Sequence, residues 1–441
     1  MRPRLWNAPA TIGPALTTPV RAMPVLAMIA ALSILAACTR ESADDANFAP
    51  VPDPAEQREQ ITSLQIRTFD EMWTLLRDHY VYGDLHGVSW NELRERYRPL
   101  IVNLLSREDF PATVRQMLDE LPPLAARWET RAERIQEELQ DPSAYEGIGA
   151  YVAYRENPEP RIILLSVMPG SPADRSGLRP HEAVTAVNGI PVRREEGPDA
   201  VSRIRGPADQ PVILRVSSVD RATRDVQVIR GRVQLAEVLN PLRYGLLEPG
   251  RVGYLLFPRV SSDSLVTETV RSLEALAEAG DIGGIILDLR IASGLRWPLV
   301  PLLSLFSDGD HGEIYTAEGS QPLSVDGSDL NGSQAVPLVV LVGPDTEGLP
   351  EVLAAALQAR RRATVVGLRT PGNVESFVDF VLPDGSRLTI MTSAYQSPAG
   401  REVGIDGVRP DVPAALDWDE VSEQTDPVRN TALTVLRRGV G

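Results

Sequence analysis

Pro337-Leu338-Val339-Val340-Leu341-Val342, followed after three residues by Thr346-Glu347-Gly348-Leu349-Pro350-Glu351, is the stretch on which the architecture of this chain turns. An unbroken apolar run of strand length, with no alternation, reads as a strand buried on both faces. A helix is predicted from about Pro350 to Arg361 and a second strand at Ala363-Thr364-Val365-Val366-Gly367. Upstream the pattern repeats: a strand at Val252-Gly253-Tyr254-Leu255-Leu256-Phe257, an amphipathic helix from Leu265 to Ala279, and a buried strand at Gly284-Ile285-Ile286-Leu287-Asp288-Leu289-Arg290. Strands alternating with helices predict a parallel sheet covered on both faces, with its site at the carboxyl ends of the strands. The turn Thr346 to Glu351 lies at such an end.

Toward the N-terminus the character changes. From Tyr145 to about Leu235 come short β-rich runs broken by Gly and Pro: Gly147-Ile148-Gly149-Ala150-Tyr151-Val152, Ile162 to Val167, Pro169-Gly170-Ser171-Pro172-Ala173, Gly177-Leu178, and Ala183 to Gly189. This ordered series resembles a PDZ domain of the bacterial protease type. The resemblance implies that Gly147, Ile148 and Gly149 form a turn whose amides receive a peptide C-terminus, the peptide adding as a strand to an open sheet edge. His181 stands where such domains carry a turn Gly, and is expected to be an exposed turn residue. Earlier still, apolar residues recur at helical spacing (Phe69, Met72, Trp73, Leu76; Leu93, Tyr97, Leu100, Ile101, Leu104), so residues 61–142 read as a helical region, with His79 a packed helix residue.

The extreme N-terminus reads as a targeting segment. Arg2, Arg4 and Arg21 precede an apolar stretch from Val25 to Ala37 that ends in Leu35-Ala36-Ala37-Cys38. The stretch is shorter than the ~20 residues of a spanning helix. The Leu-Ala-Ala-Cys ending resembles the lipobox of bacterial lipoproteins, which implies cleavage after residue 37, acylation of Cys38 and, with Thr39 rather than Asp next, an outer-membrane address facing the periplasm. Residues 38–60 are polar and acidic, and are expected to be a flexible tether. The remaining boundaries are a PDZ domain over 143–236, a core over 237–415 and a C-terminal helical tail over 416–441.

Composition excludes several functions. The net charge is −16 with no long basic run, so nucleic acid is not an expected partner. The four histidines are scattered and Cys38 is the only cysteine, so neither a metal cluster, a cofactor nor an intrachain disulfide is expected. All 44 basic residues are arginine; the chain has no lysine. Arginine stays protonated and cannot serve as a general base.

That absence matters because, from about residue 65 to the end, the chain resembles the carboxy-terminal processing, or tail-specific, serine proteases. The resemblance rests on Phe69-Asp70-Glu71-Met72-Trp73 through Tyr97-Arg98-Pro99, on Leu287-Asp288-Leu289-Arg290, on Leu382-Pro383-Asp384-Gly385-Ser386 with Ser397-Pro398-Ala399-Gly400-Arg401, and on Gly404-Ile405-Asp406-Gly407-Val408-Arg409-Pro410-Asp411. It implies a multidomain α+β and α/β fold: an N-terminal helical region, a PDZ-like β-rich domain and a ClpP/crotonase-like α/β protease core with a parallel sheet. The family uses a serine nucleophile at a helix start and a lysine base held neutral by burial. Here the nucleophile position is Gly348 and the base position, in Gly367-Leu368-Arg369-Thr370-Pro371-Gly372-Asn373-Val374-Glu375-Ser376-Phe377, is Asn373. The oxyanion-side motif is eroded to Ile291-Ala292-Ser293-Gly294-Leu295, and the Asp-Pro-His-Thr motif usual before the PDZ domain has no counterpart near Leu121 to Arg131.

The resulting expectation is a lipid-anchored envelope homologue without peptidase activity, which binds protein C-termini or extended peptides as an adaptor or regulator of an active protease or envelope protein. Two alternatives accompany it. One is an active peptidase with a relocated site, for which Thr346, Ser376 and His311 are the candidates; tricorn-type relatives take their base His from another segment. The other is a carrier of small apolar ligands, suggested by Phe377, Leu349 and Leu295 at formerly polar or small positions and by a retinoid-binding relative without proteolysis.

Overall fold

The structure is a computed structural model that describes residues 54–82, 89–103, 109–122, 125–138, 144–234, 241–247, 251–415, 417–422 and 425–439. The leader and Cys38 lie outside these residues.

The parallel sheet forms as the apolar runs require. Its order is Arg243–Leu247, Val252–Leu256, Gly284–Asp288, Leu338–Val342, Ala363–Gly367 and Val412–Pro413, parallel throughout except for the first strand. Because side chains alternate across a strand, Leu338, Val340 and Val342 face the helices Leu265–Glu278, Leu299–Phe306 and Leu349–Ala359, while Val339 and Leu341 face the other side. There the tail helix Pro427–Gly439 covers the sheet with Val428, Ala432 and Leu436. Amide groups at the core of such a sheet are all paired, so both faces can be apolar.

The N-terminal region departs from the expected helical reading in two ways. First, the initial helix runs Pro54–His79, so residues 54–60 are helix rather than tether. Proline is pre-organised for a first helical turn, and the Glu-Gln-Arg-Glu-Gln run that follows favours helix. Second, between the helices Trp90–Val102, Asp109–Leu118 and Arg131–Glu138 lies a strand, Ala126–Glu129, paired antiparallel with Arg387–Ile390. It joins a second sheet built mainly by the later hairpins Gly309–Thr316 with Gly319–Val325 and Ser376–Val381 with Arg387–Gln396. Helices and hairpin share one core, in which Phe69, Met72, Leu93 and Ile101 meet Leu388 and Ile390. His79 ends the first helix, stacked on Phe380 with ring centroids 5.0 Å apart.

The PDZ domain is a sheet of order Ala150–Arg155, Arg161–Val167, Ala183–Val187, Pro211–Ser218 and Arg221–Ile229 around its own core of Ile162, Leu164, Val184, Leu214 and Val228. Residues 417–422 and 425–426 bond it to the parallel sheet. Trp418 donates its indole N–H to the Leu165 carbonyl at 3.0 Å, and its ring lies 4.2 Å from that of His181 and 5.0 Å from the Arg290 guanidinium carbon. His181 is therefore not the exposed turn residue expected: its Nδ1 lies 2.7 Å from the Trp418 carbonyl, and burial pushes its pKa down. Arg290 in turn bridges Asp288 and Asp426, each at 2.6 Å, deep in the sheet. Arg155 reaches Asp345 and Asp417, and Arg161 reaches Asp417 and Asp419. These pairs are largely dehydrated, so removing one partner strands the others. Arg155→Ala is expected to lower stability by about 1–2 kcal/mol and to raise hydrogen exchange in Ala150–Val167 more than in Leu338–Val342; equal change in both segments argues that Arg155 does not clamp the domain.

Candidate functional site

The carboxyl ends of Leu338–Val342 and Ala363–Gly367 carry the two segments on which catalysis would depend. After Val342 the chain turns through Gly343, whose N–H donates to Thr346 Oγ1 at 2.9 Å; that hydroxyl donates to the Leu289 carbonyl at 2.9 Å. Thr346 is fully buried, so its hydroxyl holds the turn and faces no solvent.

Gly348 follows, at the start of the helix Leu349–Ala359, with φ +76° and ψ −137°. This conformation is nearly confined to glycine. A Cβ built there would lie 2.7 Å from the Gly294 carbonyl oxygen and 3.0 Å from its carbon. The cause is a short parallel ladder, Ser293–Gly294 against Glu347–Gly348, in which the Glu347 N–H donates to the Ala292 carbonyl at 3.0 Å. Arg259 pins the ladder through Glu347 at 2.9 Å and the Asp345 carbonyl at 2.6 Å. Ser293–Gly294 thus lies against Gly348, the position at which a nucleophile is expected, and fills the space a side chain there would take.

A group that sequence reasoning passed over dominates the electrostatics. Glu351 is fully buried, and its Oε1 accepts the N–H of Gly348 at 3.1 Å and of Asn373 at 2.9 Å. Oε2 accepts the Gly372 N–H at 2.7 Å and makes a short hydrogen bond with the Thr370 hydroxyl, which itself accepts the Val408 N–H at 2.8 Å. Burial outweighs these donors and raises the Glu351 pKa to about 7. The sequence signal was its spacing, three residues beyond the helix start, from which a carboxylate reaches back to the first free amide. One consequence is that the Gly348 amide, a donor an oxyanion would need, is committed to Glu351. Asn373 gives only its backbone to this cluster and is exposed.

The remaining candidates are scattered. Ser376 begins an edge strand whose outer positions Phe377 and Val381 are exposed. His311 contacts Ser307 through Nε2 at 2.8 Å while Nδ1 donates to the Gly309 carbonyl at 2.7 Å, the tautomer a base would need, yet both residues are buried, at 0% and 6% exposure. An open groove of about 520 Å³ lies beside the sheet ends between PDZ domain and core, lined by Arg155, Arg161, Pro344, Leu368, Asp417 and Glu420. Phe377, Leu349 and Leu295 are not among its lining residues, and its charged walls do not suit an apolar ligand. Among the described residues no cluster of three or more His, Cys, Asp or Glu is placed to hold a metal, and no helix is long and apolar enough to cross a membrane.

Most of the chain is similar to known proteins. Residues 251–414 match peptidase family S41, residues 67–119 the tricorn protease C1 domain and residues 163–217 the PDZ domain. The carboxyl-terminal-processing protease of Synechocystis is 29% identical over 385 residues, covering 84% of this chain and 86% of its own. Over most of its length this chain is similar to the carboxyl-terminal-processing proteases. A second relative, the chloroplastic C-terminal processing peptidase of Tetradesmus obliquus, is 28% identical over 80% of this chain and 77% of its own. Among solved structures, the photosystem II D1 C-terminal processing protease superposes with a TM-score of 0.59 at 26% identity, covering 79% of this chain and 93% of that one. The fold is therefore that of an S41 peptidase with a helical N-terminal region and a PDZ domain.

Proposed function

We propose that this chain is a family member without peptidase activity, which binds protein C-termini or extended peptides as an adaptor or regulator of an active protease or another envelope protein. The observation that carries the reading is the contact at Gly348: the nucleophile position has no side chain, and the Gly294 carbonyl occupies the place where one would project. Three further features support it. Asn373, at the base position, cannot titrate; the Gly348 amide is committed to Glu351; and the Ser307–His311 pair, the alternative with the right hydrogen bonding, is buried. Peptide capture falls to the Gly147-Ile148-Gly149 turn and the edge strand Ala150–Arg155 that follows it. The same proposal puts the protein on the periplasmic side of an outer membrane through an acylated Cys38, supported by the resemblance of Leu35-Ala36-Ala37-Cys38 to a lipobox.

The test is to expose the full chain in detergent micelles to a fluorophosphonate probe and to unstructured peptides with free C-termini. No covalent labelling is expected, together with saturable peptide binding. Labelling that disappears on replacing one particular Ser or Thr overturns the inactive reading, and absence of binding to every peptide overturns the adaptor reading.

A further inference from the structure

The strand Ser376–Val381 lies at the rim of the second sheet. It pairs antiparallel with Arg387–Gln396, and among the described residues no strand pairs with its other edge. The direction of its backbone groups follows from the register. The Leu382 N–H donates to the Ser386 carbonyl at 2.9 Å, so mutually bonded pairs recur at every second residue back along the strand, Phe380 with Leu388 and Val378 with Ile390. The residues between them, Phe377, Asp379 and Val381, turn their N–H and C=O groups to the free edge. Met391, opposite Phe377, agrees with this: its N–H donates to the Ala125 carbonyl at 3.0 Å and its C=O accepts the Val81 N–H at 3.1 Å, both on the side away from Phe377.

The side chains on this edge are apolar and unburied. Phe377, Val378 and Val381 are 38%, 45% and 65% exposed, in a strand with no proline to block addition. Outward amides beside exposed apolar side chains form a template for another strand. Because side chains alternate, Phe377, Asp379 and Val381 share one face, while Phe380 points back to the helical core. The Asp379 carboxylate stands in the middle of that face. One oxygen accepts the Thr389 hydroxyl at 2.6 Å, and the other lies 3.9 Å from Arg387, whose guanidinium is committed to Glu129 and Glu137. Asp379 decides what can add here. A second copy of the chain, in the antiparallel register that engages all three outward residues, sets Phe377 against Val381 but Asp379 against Asp379, and each copy carries a net charge of −16. Like charges directly opposite are destabilising, whereas a cation opposite Asp379 is favoured.

We propose that the free edge of Ser376–Val381 is a docking site for an extended segment of a partner protein with the pattern apolar-any-basic-any-apolar. Its basic side chain pairs with Asp379, and its apolar side chains cover Phe377 and Val381. The site is separate from the PDZ turn and takes internal segments rather than C-termini, so it stands independently of the reading above. The full chain in detergent micelles is titrated into a fluorescein-labelled peptide containing Val-Thr-Arg-Thr-Val, with both termini blocked so that no carboxylate reaches the PDZ turn, and into the same peptide with Glu in place of Arg. Wild type is expected to bind the Arg peptide about fivefold more tightly than the Glu peptide, and Asp379→Arg to invert that preference. Val381→Pro removes an outward N–H and no bond within the sheet, and is expected to bind the Arg peptide about tenfold more weakly while retaining a cooperative melt. Equal affinity of wild type for the two peptides, or Val381→Pro binding like wild type, overturns the proposal and leaves capture of C-termini by the PDZ domain standing. A dimer in sedimentation velocity that Val381→Pro dissociates assigns the edge to a second copy and overturns it as well.

Discussion

Gly348→Ser is expected to destabilise the protein by about 3 kcal/mol and to leave it inert to fluorophosphonate, even when combined with Asn373→Lys. The reasoning is steric before it is chemical. Residue 348 sits at φ +76°, a region where side chains other than hydrogen are strained, and its Cβ would press on the Gly294 backbone carbonyl at 2.7 Å. A backbone carbonyl cannot rotate away as the end of a side chain can, so the Ser293–Gly294 ladder against Glu347–Gly348 must open. Opening it breaks the Glu347–Ala292 hydrogen bond and unseats Arg259. Adding lysine at position 373 does not rescue the chemistry. Asn373 is exposed, so a lysine there keeps an ordinary pKa near ~10.4 and remains protonated at neutral pH. Urea unfolding gives the stability change, and intact-protein mass after probe treatment gives the reactivity. Labelling at position 348 in the double variant, at undiminished stability, would mean that the cleft is merely unarmed rather than closed.

The sequence made the parallel sheet legible because its signal is local. Leu338 to Val342 and Ala363 to Gly367 are apolar runs whose burial on both faces needs no knowledge of partners. The expectation that Gly348 and Asn373 stand at the nucleophile and base positions came from a short local motif in the same way. What stayed hidden depends on distant segments. Ala126–Glu129 is four residues between helices, and becomes a strand because Arg387–Ile390 offers it an edge and Ser386 accepts the Trp128 indole N–H at 3.0 Å. His181 reads as a turn residue until Trp418, far along the chain, stacks on it. No spacing rule announces that the Gly294 carbonyl meets Gly348. Residue identity thus suggests which positions to inspect, whereas what surrounds Gly348 is a property of tertiary contact.

Glu351→Gln is expected to flatten the pH dependence of stability, so that the gap between wild type and variant is wider at pH 5 than at pH 8 by about 3 kcal/mol. The folded-state pKa of Glu351 is raised to about 7 from an ordinary value of 4.5. A group whose pKa is raised on folding contributes stability that is fully present below the unfolded value and is lost as pH rises through the folded one. Wild type should therefore gain stability from this residue as pH falls from 8 to 5, and the gain should disappear in the variant. The hydrogen bonds explain why glutamine is a poor copy of the protonated acid. A protonated Oε2 can donate to the Thr370 oxygen and still accept the Gly372 N–H, and Oε1 keeps the Gly348 and Asn373 amides. The glutamine NH₂ cannot accept, so whichever way the amide turns at least one buried backbone N–H is orphaned, a penalty of about 1–3 kcal/mol. Because Thr370 also receives Val408, the carboxyl joins the helix start, the loop Thr370–Asn373 and the closing Gly407–Val408 segment. Urea titrations of both proteins at pH 5 and pH 8 measure the difference directly, and every other titrating group cancels between them. An equal gap at the two pH values would mean that Glu351 stays ionised throughout, with its four donors prevailing over burial.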